Sequence, residues 1–344
     1  MKITMPITTL AALAISTASV FADGYQTGMT ELAVRDANGD RHLNGIIWYP
    51  TDKTDGTVRA QGNAVWKPIM VHPDADASDG QFPLVLLSHG MYGNHRNQAW
   101  LASILTQQGY IVAAIDHPGT STFNRDADHA RELWERPRDI SRTIDHILAD
   151  PAYAKHVDAQ NIFMAGHSLG GFTAVALAGG QFEPAKFDTF CASNDADLAC
   201  RVINQWNVAK SDADRKTIAG DFSDDRIKAF AVFDLGGAQS FSNDSLAAIE
   251  KPMMVIGAPE NAHGLNLDVE SRALNAALPS KTVQYWEPTG LSHFDFMGEC
   301  TERGLEILQQ EEPADAYVCK QGTNERASHH AQIATRVMNF FANL

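Results

Sequence analysis

Basic residues are scarce in this 344-residue chain. Lys and Arg number 27 against 42 Asp and Glu, which gives a formal charge of −15 at pH 7. Nucleic acid and anionic membrane surfaces repel a protein of that sign, so we expect neither as a partner. Long charge runs, internal repeats and low-complexity linkers are lacking as well. With 44% hydrophobic and 20% charged residues, the chain is typical of a globular protein, not of a disordered, collagen-like or coiled-coil one.

Cysteine is scarce too, and its spacing argues against a zinc site. The chain has no C-x-x-C pair and no H-E-x-x-H helix, so we predict no metal centre. Its four cysteines allow three disulfide pairings, among which sequence alone does not choose. The simplest hypothesis joins near neighbours, so that each bridge staples one loop in an oxidising compartment. These bridges are Cys191–Cys200 and Cys300–Cys319.

Beyond residue 22 no apolar run approaches the length of a membrane span. The first 22 residues have the pattern of a secretory signal: Lys2 supplies positive charge, 7–20 is apolar or small, and 20–22 is a small-x-small cleavage site. A membrane anchor or a first core helix is the alternative, but the run is short and rich in Thr and Ser. We therefore expect cleavage near Ala22 and a secreted or periplasmic mature chain, 23–344.

The mature chain alternates short apolar runs with helical patterns. Extended segments at 30–34 and 44–49 precede a turn-rich, Asp-rich loop at about 51–81. This alternation predicts an α/β fold, an open, doubly wound, mostly parallel sheet with helices on both faces. Runs typical of buried strands lie at 82–88, 110–116, 161–166, 227–234, 252–257 and 282–286, and helical patterns at 98–108, 140–148, 172–178, 269–278 and 328–341.

A polar insert of about 45 residues, 181–225, interrupts this alternation between a sheet helix and the next strand. It contains two of the four cysteines. From that position it would fold over the ends of the strands, so we predict a cap-like insert within a single domain that runs from 23 to 344.

The sequence GHSLGG at 166–171 indicates the chemistry, because it lies between the strand NIFMAG and the helix FTAVALA. This is the G-x-S-x-G pattern in the strand–turn–helix setting of a nucleophile elbow. So sharp a turn has no space for side chains beside Ser168, which accounts for Gly166 and Gly170. It would lift the Ser168 hydroxyl above the sheet and direct the Leu169 N–H at a reacting carbonyl. A glycine-rich turn without function is the alternative, which this context disfavours.

A second glycine-rich turn, SHGMYG at 88–93, ends the strand at 82–88. Enzymes with this elbow take their second oxyanion donor from the corresponding loop. We predict the N–H groups of Met91 and Leu169 as the two donors. Aromatic residues more often pack in cores, but Tyr92 and Phe294 adjoin catalytic positions and are the better candidates to line a substrate pocket.

A serine elbow needs a histidine late in the chain as general base. His293, in the sequence GLSHFDF, follows the last predicted strand, where that base is expected. His263 precedes the strand, and His329 and His330 lie on the C-terminal helix, where surface positions are common. We therefore predict His293.

Two carboxylates compete for the acid of the triad, which comes between the serine and the histidine in the chain. Asp234 ends the apolar strand IKAFAVFD, and a carboxylate at the end of a buried strand needs a partner. Glu260 follows the next strand. Strand position alone leaves both open, with Asp234 preferred.

The stretches WYPT, FPLVLLSHGMYGN, GYIVAAIDHPG, ERPRDISRTIDHIL, GHSLGG and GLSHFDF together resemble the platelet-activating-factor acetylhydrolases and dienelactone-hydrolase-like α/β-hydrolases. The likeness covers the mature chain except 181–225 and the tail after Cys300. It implies an α/β-hydrolase fold, and in such acetylhydrolases the acid follows strand 6, which favours Asp234. True dienelactone hydrolases use a cysteine where this chain has Ser168, so dienelactone is not the expected substrate.

These residues predict a serine hydrolase that cleaves short-acyl or small aromatic esters through a Ser168–His293–Asp234 triad and an acyl-enzyme, with no cofactor required. Its partner would be a small-molecule or lipid ester. The alternatives are an acetylhydrolase-type phospholipase, an amidase or peptidase, and a polyester hydrolase, although the latter enzymes commonly carry Trp where this chain has His167. A binding protein on the same fold is disfavoured because serine, histidine and oxyanion loop are all present.

Overall fold

The structure is a computed structural model that describes residues 24–35, 41–260, 264–320 and 323–344. The predicted signal segment at 1–22 and the rival base His263 lie outside the described residues. Within the described ranges, ten strands form one sheet, with helices packed on both of its faces.

The strands of the sheet are β1 (Gln26–Arg35), β2 (His42–Thr51), β3 (Val58–Ala60), β4 (Ile69–Pro73), β5 (Phe82–Ser88), β6 (Ile111–Ile115), β7 (Val157–His167), β8 (Ile227–Phe233), β9 (Met253–Ile256) and β10 (Val283–Trp286). Their order is β10-β9-β8-β7-β5-β6-β2-β1-β4-β3. From β10 to β6 all neighbours are parallel, while β2 is antiparallel to both β6 and β1. The predicted mostly parallel sheet is therefore confirmed.

The described helices include five that coincide with the predicted helical patterns, namely α1, α3, α5, α10 and α12. The full set is α1 (Ala99–Gln107), α2 (Ala127–Arg131), α3 (Glu135–Ala149), α4 (Pro151–Ala154), α5 (Leu169–Leu177), α6 (Pro184–Ser193), α7 (Leu198–Gln205), α8 (Asp212–Ile218), α9 (Asn243–Ala247), α10 (Ser271–Ala277), α11 (Gly304–Glu311) and α12 (Thr323–Ala342). None of these described helices is long and apolar enough to cross a bilayer.

The prediction of a loop over 51–81 is wrong in part, because β3 and β4 lie within it. β4 pairs in parallel with β1, and β3 pairs antiparallel with β4, which extends the sheet past the predicted strands. β3 has only three residues, of which Val58 and Arg59 are exposed. A strand this short, without a buried face, shows no alternation from which the sequence could predict it.

The central strands supply two separate cores, one on each face of the sheet. Leu84 and Leu86 of β5 face a core that includes residues of α3 and α5. Val85 and Leu87, which point the opposite way, face a second core that includes residues of α1 and α12. Because both faces are buried, β5 is a continuous apolar run instead of an alternating one.

The insert at 181–225 lies between α5 and β8 and contains α6, α7 and α8. The disulfide Cys191–Cys200 joins α6 to α7. Asp197 and Ser211 cap the N-termini of α7 and α8 by accepting hydrogen bonds from backbone N–H groups. The polar sequence thus forms short capped helices that a disulfide holds together.

The tail after the last strand carries the second disulfide, Cys300–Cys319. Both near-neighbour pairings that the sequence favoured are therefore present. Behind this bridge the buried Arg326 of α12 donates to the carbonyl oxygens of Gly298 and Val318, at 2.9 and 2.6 Å. The tail is thereby fastened to α12, close to the segment that contains His293.

Candidate active site

The elbow between β7 and α5 holds Ser168 in a strained backbone conformation. Its φ of 55° and ψ of −118° are rarely adopted by residues other than glycine. A Cβ atom at Gly166 would lie 2.0 Å from the Gly170 carbonyl oxygen, and one at Gly170 would lie 1.9 Å from that of Ser88. Both flanking positions therefore require glycine, for the steric reason the sequence pattern indicated.

The two predicted oxyanion donors come from turns on either side of Ser168. Leu169 is the first residue of α5, so its N–H has no acceptor within the helix. On the other side, Gly90 approaches so closely that a Cβ there would lie 3.0 Å from Ser168 Cβ. Met91 directly follows Gly90. The structure thus brings both turns to the serine.

His293 and Asp234 meet in a buried contact. Nδ1 of His293 lies 2.7 Å from Oδ2 of Asp234, and both side chains are less than a tenth exposed. Oδ1 of Asp234 accepts a hydrogen bond from the Ala258 N–H at 2.9 Å. Asp234 has a φ of 41°, a strained value at the turn after β8. One carboxylate oxygen is thus fixed by the backbone while the other holds the imidazole.

The alternative acid, Glu260, has an exposed side chain. Its backbone is nevertheless nearby, since its N–H donates to Leu291 O at 3.0 Å and it forms an isolated bridge with Ser292. Of the two candidate acids, the structure therefore places only Asp234 against His293.

The helical histidines His329 and His330 are buried, contrary to the expectation of surface positions. His329 Nδ1 contacts Asp295 Oδ2 at 3.0 Å, and His330 stacks on Trp100 with ring centres 3.7 Å apart. Burial lowers the pKa of His330 to about 3. Both rings face the short 3₁₀ helix at 293–296, so they pack behind His293. Tertiary packing that a helical pattern does not show accounts for the difference.

The loop that carries Met91 is fixed by a histidine that sequence reasoning did not single out. His89 Nδ1 donates to the Gly90 carbonyl at 2.7 Å, while Nε2 accepts from the His117 N–H at 3.0 Å. Complete burial lowers the pKa of His89 well below its ordinary value. The neutral ring therefore links the loop after β5 to the loop after β6.

Arg136 of α3 is a second residue that sequence reasoning missed, although it lies in the stretch ERPRDI. It is 1% exposed and supports the same loop, because its Nη2 donates to the His89 carbonyl. Burial lowers its pKa to about 9, so it remains a cation at neutral pH. Its hydrogen bonds go to Thr173 Oγ1 (3.0 Å), Thr120 Oγ1 (2.6 Å), Ser88 Oγ (3.2 Å) and His89 O (2.5 Å).

The buried charge of Arg136 is connected to a carboxylate through Ser88 and His117. Ser88 Oγ lies 2.9 Å from His117 Nε2, and His117 Nδ1 lies 3.0 Å from Oδ2 of the buried Asp139. Arg41 binds Asp139 with two parallel hydrogen bonds of 2.6 and 2.8 Å. The network thus runs from the surface near Arg41 to the turn beside the elbow.

Ser168 and His293 line one cavity of about 820 Å³, which is within the range of small-molecule sites. Both predicted pocket residues, Tyr92 and Phe294, also line it. Tyr92 Oη accepts a hydrogen bond from Trp206 Nε1 of the insert at 3.1 Å. Among the described residues, no group of three or more His, Cys, Asp or Glu side chains is placed to hold a metal ion.

Residues 81–196 match the family described as serine aminopeptidase, S33. Similar curated proteins include a bis(hydroxyethyl) terephthalate hydrolase from Streptomyces coelicolor, 26% identical over 54% of this chain and 43% of that protein. They also include cutinase est2 from Thermobifida alba, 30% identical over 27% of this chain and 29% of that one. Phospholipase YtpA from Bacillus subtilis is 28% identical over 38% of this chain and 48% of that protein. The chain thus spans less than half the length of each of these relatives.

A solved structure that resembles the whole chain is the ferulic acid esterase from Streptomyces cinnamoneus. The TM-score is 0.60, and the likeness covers 93% of this chain and 90% of the esterase at 20% identity. A likeness at that identity concerns the fold alone. The resemblance to acetylhydrolases and dienelactone hydrolases in particular stays a prediction.

Proposed function

The chain is an α/β-hydrolase by fold, and we propose that it is a serine hydrolase of carboxylic esters. One observation carries the proposal: the cavity that exposes the elbow serine is also lined by His293, whose other side is bound to Asp234. A serine, a histidine and an aspartate in such an arrangement are the catalytic triad of many acyl-transfer enzymes. The partial relatives named as a terephthalate-ester hydrolase and a cutinase support esters over amides as substrates.

In the proposed reaction, Ser168 Oγ attacks the ester carbonyl while His293 Nε2 takes its proton. Asp234 keeps the imidazole in the required tautomer and stabilises the imidazolium. The N–H groups of Met91 and Leu169 donate to the oxyanion of the tetrahedral intermediate. The proton passes to the leaving alcohol, and water then hydrolyses the acyl-enzyme with His293 as base.

We further propose that the insert at 181–225 acts as the cap of the substrate cavity. Leu198 of α7 lines that cavity, and Trp206 holds Tyr92 in its wall. With aromatic walls and about 820 Å³, the cavity suits short acyl or small aromatic esters.

Export to an oxidising compartment belongs to the same proposal. Two disulfides, which are rare in reducing compartments, support it. N-terminal sequencing of the protein purified from its native host tests the cleavage predicted near Ala22.

The experiment is hydrolysis of p-nitrophenyl esters with acyl chains of about two to sixteen carbons. Ser168→Ala should lower kcat by roughly 10⁴–10⁶ and leave the circular dichroism spectrum unchanged, since the serine forms the covalent bond. Ser223→Ala, which changes an exposed serine of the insert, is the matched control. Turnover by Ser168→Ala near that of the control would refute the proposal. Highest activity on esters with long acyl chains would instead indicate that the insert acts as a lipase-type lid.

A further inference from the structure

Two loops meet at the rim of the cavity, and each contributes an arginine. The loops are 91–97, after β5, and 120–125, after β6. Tyr92 N–H donates to Thr120 O, and Thr122 N–H donates to Gly93 O, both at 2.7 Å. These bonds join the loops side by side, so that Arg96 and Arg125 both line the cavity that contains Ser168.

Both guanidinium groups are held against aromatic rings of the same cavity. Arg125 lies 4.6 Å from the centre of the Tyr92 ring, and Arg96 lies 5.6 Å from that of Phe123. Phe123 is 59% exposed, the highest value among the large hydrophobic side chains of the described residues. Stacking on an aromatic ring fixes the orientation of a guanidinium group and leaves its N–H donors available to bind a ligand.

Within the described part of the chain, neither Arg96 nor Arg125 forms an ion pair with a carboxylate. Arg96 Nε instead donates to His95 Nε2 at 3.3 Å. The nearby Arg131, by contrast, is paired with Asp214 at 2.6 Å. Two arginines on joined loops, neither of them paired with a carboxylate, therefore give the cavity rim a local positive charge in a chain whose net charge is −15.

The carboxylates of the cavity wall do not cancel this charge. Glu299 is bound to Lys67 of the same wall at 2.7 Å. Asp315, on the short helix at 313–319, forms no ion pair with Arg96 or Arg125 in the described part of the chain. Neither carboxylate of the cavity wall is therefore paired with the two arginines.

We propose that Arg96 and Arg125 form an anion subsite, and that the substrates are esters which carry an ionised carboxylate or phosphate besides the ester to be cleaved. This inference rests on the proposed esterase function and adds to it the class of substrate. A guanidinium matches either anion with two parallel hydrogen bonds, and the aromatic rings beside it accept the apolar part of the ester. The rim thus attracts anions to the site of a chain whose overall charge repels them.

The test compares kcat/KM for matched ester pairs in which only one member carries an anionic group. Three pairs locate the anion: 4-nitrophenyl hydrogen glutarate against 4-nitrophenyl pentanoate, 4-(butanoyloxy)benzoate against its benzamide, and dibutanoyl glycerol phosphate against dibutanoyl glycerol. We expect the charged member to be preferred in at least one pair, which identifies the anion as an acyl carboxylate, an alcohol carboxylate or a phosphate. No preference in any pair overturns the proposal.

Arg96→Gln and Arg125→Gln should each lower the charged-to-neutral ratio of kcat/KM by about three- to fivefold, since exposed ion pairs are individually weak. The double variant should lower it by about tenfold or more. Arg336→Gln is the matched control, because Arg336 also stacks on an aromatic ring, Trp286, at 4.1 Å but lies on α12 and does not line the cavity. An equal fall in this control would assign the effect to net charge and overturn the subsite.

Binding to the Ser168→Ala variant separates this inference from the proposed function. Calorimetric titration with each ester pair measures the subsite without any turnover. A charged ester that binds Ser168→Ala more tightly, and loses that advantage with Arg96→Gln and Arg125→Gln, supports the subsite even if the wild type cleaves no ester. Equal binding of charged and neutral esters refutes the subsite while ester hydrolysis by the wild type still stands.

Discussion

Asp234 and His293 are 59 residues apart in the chain, yet a carboxylate oxygen of the first lies 2.7 Å from Nδ1 of the second. Both groups are at the carboxyl ends of parallel strands, one directly after β8 and the other in the segment after β10. Two strands of one parallel sheet, with β9 between them, thus deliver an acid and a base to the same edge. The contact is buried, which strengthens it and fixes the orientation of the imidazole.

The first prediction concerns this contact. Asp234→Asn should lower kcat by about 10⁴ with little change in KM, because an amide at this position stabilises the wrong imidazole tautomer and no imidazolium. Glu260→Gln should leave kcat within about twofold, since the Glu260 side chain is exposed. Steady-state kinetics on one p-nitrophenyl ester measure both. A larger loss in Glu260→Gln than in Asp234→Asn would reverse the assignment of the acid.

The sequence predicts best those parts of the site whose residues are close together in the chain. The elbow is a turn of six consecutive residues, in which a Cβ at either glycine would clash with the carbonyl oxygen of Gly170 or of Ser88. Because these six residues are adjacent in the chain, the sequence alone shows the motif. The partner of His293 is a contact between distant strands, and the sequence left Asp234 and Glu260 both open. Arg136 was missed because a basic residue on an amphipathic helix ordinarily faces solvent. Only the packing of α3 against the sheet shows that it is buried.

Arg136 gives the second prediction. Arg136→Met leaves the His89 carbonyl and three hydroxyl groups without their charged donor, so we expect the free energy of unfolding to fall by about 3 kcal/mol. Because His89 belongs to the loop of the proposed donor Met91, kcat should also fall by roughly 10². Urea unfolding and ester hydrolysis measure the two effects.

Arg138→Met is the control for that variant. Arg138 lies on the same helix but is exposed and paired with Glu135, so its loss should cost at most about 1 kcal/mol. Arg136→Met with unchanged stability but lower kcat would limit Arg136 to positioning the loop. If stability and kcat both match those of Arg138→Met, Arg136 supports neither.

The third prediction distinguishes the two disulfides. Each closes a short loop, and replacing either pair by serine should lower the free energy of unfolding by about 3 kcal/mol. Loss of Cys300–Cys319 should also lower kcat, because Arg326 connects that bridge to Asp295 in the short helix of His293. Loss of the bridge in the insert, next to Leu198 of the cavity wall, should chiefly raise KM. Equal effects on kcat from both pairs would contradict this division.

The last prediction concerns stability and pH. Glu270 is buried, and its Oε2 accepts hydrogen bonds from the N–H groups of Gly237 and Ala238 at 2.8 Å each, in the turn that follows Asp234. Burial raises the pKa of Glu270 from 4.5 to about 8 in spite of these bonds. Between those two values the folded state holds a proton that the unfolded state has lost. The free energy of unfolding should therefore decrease as pH rises from about 4.5 to about 8, by up to about 1.4 kcal/mol per pH unit from this group.

Glu270→Gln should remove that dependence, because an amide stays neutral and its oxygen accepts the same two hydrogen bonds. The stability of the variant should approach that of the wild type below about pH 4.5, where Glu270 becomes protonated in both states, and should exceed it most at about pH 8 and above. Urea unfolding across this interval measures the difference, with Glu306→Gln, a change at an exposed carboxylate of α11, as the control. If the curves for Glu270→Gln and Glu306→Gln run parallel from about pH 5 to 8, Glu270 is ionised in the folded state and the turn after Asp234 is held by a carboxylate instead of a carboxylic acid.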